Sequence, residues 1–149
     1  MPANTAPIFS LTPNIGGGAA TAANTVGDGG GTIGTDIFKI FTAGANGAWL
    51  NRIRFQAVSS VAATATTATV ARVFISSVTS GATTNANTFC VLEVTLATVT
   101  ADHSTAATDF VERQLNMAIP AGYTVLITNH AAPAANTRWL TTLPGSGDY

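Results

Sequence analysis

The side chains that could do chemistry in this chain are few, and their spacing limits what that chemistry could be. Asp102-His103-Ser104 sets an acid, a base and a hydroxyl side by side, and a second imidazole, His130, lies elsewhere. A hydrolytic triad needs its three groups to converge from separate elements beside an oxyanion hole. Consecutive residues of a Thr-rich loop do not point at one another in that way, so His103 reads as a surface loop residue and His130 as a strand-end residue. Gly27-Asp28-Gly29-Gly30-Gly31-Thr32 offers backbone amides of the kind that approach an anion closely. It lacks the Lys and Ser/Thr of a phosphate-binding loop, as well as the strand, loop and helix setting, and reads as a flexible loop. One Cys and two His separated by a hairpin give no zinc spacing. Asp28 with Asp36, or Asp102 with Asp109, matches no defined calcium loop. Glu93 and Glu112 are isolated on strands and name no glycosidase pair. The expectation is a chain that is not an enzyme, with no catalytic, metal-binding or cofactor-binding residue.

Two groups of side chains remain. Trp49, Trp139, Tyr123 and Tyr149 could form an aromatic platform for sugars, although core or interface packing is the more usual fate of such rings. Arg52, Arg54, Arg72, Arg113 and Arg138 all fall within predicted strands. In a chain with six Lys+Arg in total, that is its sharpest site-like feature. Arginine on a sheet face pairs across strands or across an interface, so these five are candidate inter-subunit contacts. Ile8, Phe9 and Leu11 join them as apolar residues of a proline-marked N-terminal segment that invites a docking partner.

The elements that must position these residues are strands. Three segments, Ala48–Val58, Thr67–Ser76 and Thr88–Leu96, form the predicted middle of an antiparallel sandwich. In the first, Ile53 and Phe55 share one face while Arg52, Arg54 and Gln56 take the other. In the second, Ala71, Val73 and Ile75 oppose Val70, Arg72 and Phe74, and bulk on both faces marks a strand covered on two sides. In the third, Cys90, Leu92, Val94 and Leu96 fall together, which makes Cys90 a buried, inert thiol. Asp36–Thr42 is a short strand, and Asn46-Gly47 is a hairpin-turn signal leading into Ala48. Phe110–Ile119 alternates, with Arg113 interrupting the apolar parity of Val111, Leu115, Met117 and Ile119. Pro120-Ala121-Gly122 makes a turn, Tyr123–Thr128 is a β-branched strand, Thr137–Thr142 is the last strand, and Pro144–Tyr149 is an irregular tail. Residues 1–13 read as an extended arm or edge strand. Residues 14–34 read as a Gly-rich loop holding one short strand near Thr21–Thr25. About eight strands at this spacing make a sandwich or barrel, all-β and a single domain over 1–149.

Composition narrows the function classes. Charged residues are 9% of the chain, against about 25% in an ordinary domain, and Ala and Thr together make about a third of it. Thr, Asn, Ser and Gly must solvate the surface, or other subunits cover part of it. Six Lys+Arg against seven Asp+Glu leave no basic field for phosphate, which argues against direct nucleic-acid binding. No apolar run approaches the length of a spanning helix and Met1–Thr5 does not begin a signal peptide, so the expectation is a soluble protein made in a cytoplasm, with no membrane partner.

Several stretches carry a resemblance. Met1-Pro2-Ala3-Asn4-Thr5-Ala6-Pro7-Ile8-Phe9, Ile40-Phe41-Thr42-Ala43-Gly44-Ala45-Asn46-Gly47, Ile53-Arg54-Phe55, Ala71-Arg72-Val73-Phe74-Ile75, Ile119-Pro120-Ala121-Gly122-Tyr123 and the ending Gly147-Asp148-Tyr149 resemble small structural proteins of tailed bacteriophages and prophages, which connect to capsid decoration (cement) proteins. The resemblance implies a jelly roll that sits as a trimer on the outer capsid surface, binds between major capsid protein subunits and stabilises the expanded shell. The alternative is a tail, fibre or spike component with a carbohydrate-binding role through Trp49, Trp139 or Tyr123.

Overall fold

In the computed structural model, residues 12–106 and 109–149 are described, and among them the only regular elements are strands. In chain order these are β1 (Thr12–Pro13), β2 (Gly17–Gly18), β3 (Gly31–Thr32), β4 (Phe38–Thr42), β5 (Ala48–Ser59), β6 (Thr64–Ala65), β7 (Thr69–Ser76), β8 (Ala82–Thr83), β9 (Thr88–Leu96), β10 (Thr100–Ala101), β11 (Phe110–Ile119), β12 (Thr124–Asn129), β13 (Thr137–Thr142) and β14 (Gly147–Asp148). Fourteen strands replace the eight expected, because two-residue ladders form in stretches whose composition reads as loop.

Two antiparallel sheets carry the fold. In the larger one β5 is central: β11 pairs along one edge, while β13 and then β2 extend the other. That second edge is split, since β14 and then β1 pair at the opposite end of β5. The smaller sheet runs β4-β12-β7-β9. The inward residues of both, among them Leu50, Ile53 and Phe55 of β5, Val73 and Ile75 of β7, and Val125 and Ile127 of β12, form one core. Burying each such side chain stabilises the fold by roughly 1.5–3 kcal/mol before ordering costs. The core is closed on one side where β2 meets β4. A Cβ on Gly18 would lie 3.0 Å from Ile40 Cγ2, so a larger residue there would force Ile40 to shift. On the other side both sheets end in long strands, β11 and β9, which pair with nothing further among the described residues.

The chain crosses between sheets more often than hairpin signals suggest. Gly47 has φ +89° and its amide bonds to Gly44 O at 3.1 Å, so the tight turn at Asn46-Gly47 forms. It closes no hairpin, because β4 pairs with β12 while β5 lies in the other sheet. The reason is burial: Ile40 and Phe41 reach the same core as Leu50 and Ile53, from the opposite layer. Pro120-Ala121-Gly122 likewise turns from β11 in the larger sheet to β12 in the smaller. The tail is not irregular: β14 pairs with β5, and the Asp148 carboxylate accepts from Gly44 N at 2.9 Å and Asn14 Nδ2 at 2.8 Å.

Strand β7 is covered on both faces, as its sequence requires. Its outward Phe74 packs with Leu126 and Ile37 in a second buried cluster, flanked by Ile33. Residues 24–37 therefore lie over the outer face of the smaller sheet. Asn24 anchors them, its backbone N bonding Asn129 O at 2.8 Å and its buried side chain reaching Gly30 O at 3.1 Å and Asp36 Oδ2 at 3.2 Å. The Gly-rich loop is thus a packed cover. The short strand expected at Thr21–Thr25 reduces to one bridge, Ala23 to Asn129. Cys90 is exposed, contrary to its apolar alternation. Val91 is an extra residue in the β7–β9 ladder, which pairs Leu92 with inward Val73 but Cys90 with outward Phe74. Partial desolvation pushes the Cys90 thiol pKa up, the opposite of activation.

Candidate functional site

The outer face of the larger sheet brings together more of the sequence-selected residues than any other described surface. Register fixes its content: Gln56, Arg54 and Arg52 of β5 lie opposite Phe110, Glu112 and Gln114 of β11. On the other flank Val58, Gln56 and Arg54 lie opposite Arg138, Leu140 and Thr142 of β13. Glu112 binds both flanking arginines, Arg54 Nε at 2.9 Å from Oε2 and Arg52 Nη1 at 3.2 Å from Oε1. The Arg54 guanidinium also stacks over Phe110, 4.6 Å from the ring centroid. The Arg54 hydrogen bond and the two positive charges hold the Glu112 carboxyl below its ordinary pKa. Phe110 is 52% exposed and Leu140 38%, so apolar surface flanks the ion-paired cluster. Arginine and aromatic residues are among the types enriched at protein interfaces.

The remaining candidates are dispersed. Arg72 sits on the outer face of the smaller sheet, bound to Glu93 Oε1 through Nε at 2.6 Å and packed beside Gly27. Arg113 is exposed on the β11 edge and donates from Nη1 to Glu112 O. Arg138 is exposed on β13. Ile8, Phe9 and Leu11 lie outside the described residues; Thr12 and Pro13, which follow them, pair with Asp148 and Gly147 at the margin of the larger sheet. Phe110 and Leu140 were not selected from sequence, although the parity Phe110, Glu112, Gln114 against Val111 and Arg113 carried the signal for Phe110.

Asp102, His103 and Ser104 lie together in one loop. Ser104 donates to Asp102 Oδ1 from both Oγ at 2.7 Å and backbone N at 2.8 Å, and Ala63 N donates to Oδ2 at 3.0 Å. The hydroxyl thus faces the acid, not the imidazole, and these bonds lower the Asp102 pKa to about 2. His103 Nδ1 stands 3.7 Å from the same carboxylate. A pocket of about 220 Å³ beside it is lined by Ala57, Ala63, Ala101, Asp102 and Asp109. Among the described residues no three His, Cys, Asp or Glu side chains cluster as a metal site would require. Trp139 is buried in the core at 3% exposure, while Trp49, Tyr123 and Tyr149 are half-buried, so none of these four rings is fully exposed. Compared with family models, curated proteins and solved structures, the chain finds no match in any of the three.

Proposed function

We propose that this chain is a virion structural protein of the capsid decoration type, docking on the outer surface of an expanded shell between major capsid protein subunits and stabilising it. The single observation that carries the reading is the outer face of the larger sheet, left bare by the described residues, where Arg54 and Phe110 stack and Glu112 pairs with two arginines. Such a face stays stable in water while free, yet presents Phe110 and Leu140 for burial. The residues that carry the sequence resemblance support the same assignment. Strand order supports a jelly-roll reading: β2-β13-β5-β11 faces β4-β12-β7-β9, and the chain changes sheet at every step among these eight except from β7 to β9. Two four-stranded sheets with that order are the two-Greek-key arrangement of a jelly roll.

The mechanism is additive burial. Each copy contributes an interface of modest area, and copies held together let several weak contacts act at once. The test is co-sedimentation of purified protein with expanded, DNA-free capsids, alongside a glycan array. Saturable binding to expanded shells, with a raised temperature of shell disruption, is the expected outcome. Glycan binding without shell binding would move the protein to the tail or spike.

A further inference from the structure

The turn between β4 and β5 holds a reactive pair under restraint. Of the ten asparagines in the chain, Asn46 alone precedes a glycine. With no side chain on the following residue, its backbone nitrogen can swing onto the asparagine Cγ, which makes this dipeptide the most open of the ten to attack from within the chain. Asn46 is exposed to water, whereas Gly47 is buried. The nucleophile is occupied: Gly47 N donates to Gly44 O at 3.1 Å. The segment at β14 clasps the same turn. Gly44 N donates to Asp148 Oδ1 at 2.9 Å, Tyr149 N to Gly47 O at 3.1 Å and Asn46 Nδ2 to Tyr149 O at 3.3 Å.

We infer that Asn46 is a site of self-modification: it loses its side-chain amide through a succinimide closed by Gly47 N, at a rate set by opening of the turn that β14 clasps. In the closing step Gly47 N gives its proton to solvent and bonds to Asn46 Cγ, the Cγ–Nδ2 bond breaks, and ammonia leaves. Water then opens the ring. Addition at Cγ gives aspartate; addition at the main-chain carbonyl gives isoaspartate, whose backbone runs through the side-chain methylene. Neither product keeps the bond to Tyr149 O, since each has exchanged the amide donor of Asn46 for a carboxylate. Isoaspartate also lengthens the main chain beside Gly47, where space is short: a Cβ on Gly47 would lie 2.7 Å from Ile119 O. Modification therefore loosens β14 from the turn. The reaction is slow while the four hydrogen bonds persist, because attack requires a free Gly47 amide and hence a local opening. The inference is independent of shell binding, because the reactants are this chain and water.

Incubation of the purified protein in mildly alkaline buffer, followed by peptide mapping and enzymatic labelling of isoaspartate, tests it. Asn46 should react before every other asparagine, and about tenfold or more slowly in the folded protein than in urea. That comparison needs no variant. Asp148→Ala, with circular dichroism to verify its fold, removes the acceptor for Gly44 N and should speed the reaction in native buffer about tenfold. In the modified fraction, hydrogen exchange should accelerate over residues 147–149. Earlier reaction at another asparagine, equal rates at Asn46 in the folded protein and in urea, an unchanged rate in folded Asp148→Ala, or unaltered exchange over 147–149 would overturn the inference.

Discussion

The outer faces of the two sheets start from the same alternating strands and meet opposite fates. On the smaller sheet the outward positions Phe74 and Leu126 are apolar, and the chain covers them with its own residues 24–37. On the larger sheet the outward positions are Arg52, Arg54, Gln56, Glu112 and Gln114, and no described segment covers them. The difference shows how one chain separates a face that must be buried to fold from a face that can stay in water. Side-chain chemistry on the outward parity decides which is which.

The comparison breaks most visibly at Phe74. Phe74→Ala should destabilise the protein by about 3–5 kcal/mol, read by urea unfolding, because it empties a fully buried site beneath the cover. Native-like stability with undisturbed amide protection over 24–37 would show that the cover does not depend on this cluster. Asn24→Ala removes the two bonds from Nδ2 and the one accepted by Oδ1 from Val26 N, and should cost about 1–3 kcal/mol. Hydrogen exchange should accelerate over 24–37 and leave β5 and β13 unchanged. On the bare face, Glu112→Gln should lower the thermal midpoint by less than Asn24→Ala, since its two arginine partners remain solvated.

The smallest effect is with acid. Glu112 and Asp102 both have folded pKa values below their unfolded ones, so each contributes stability above the ordinary carboxylate range. That contribution fades as pH falls through the depressed folded value, which for Asp102 means between about 4 and about 2. An acid titration of the midpoint should therefore decline less steeply for Asp102→Asn than for wild type over that window.

Much of this was legible in the chain. Period-two alternation located Ile53 and Phe55 inside with Arg52 and Arg54 outside, and bulk on both sides of β7 announced that something must cover it. What covers it was not legible, because Ile33 and Ile37 are lone apolar residues among glycines, and the anchoring bonds of Asn24 span distances no local pattern encodes. Asn46-Gly47 fixed a tight turn but not the sheet each flank would join, since that depends on which layer the two apolar faces approach. Cys90 was misplaced because a one-residue bulge inverts parity without leaving a signature in composition. On the candidate face, the arginines were visible as strand residues, but their convergence on Glu112 and the exposure of Phe110 and Leu140 required the register between β5, β11 and β13.

The central claim is that the bare face does the docking and the covered face does not. Affinity for expanded empty shells, measured by quantitative co-sedimentation, tests it with two folded variants. Phe110→Ala combined with Leu140→Ala should weaken binding about tenfold or more, while Val26→Ser, an exposed position on the cover, should leave it unchanged. Full affinity in the double variant, or loss of binding from Val26→Ser alone, would contradict the account.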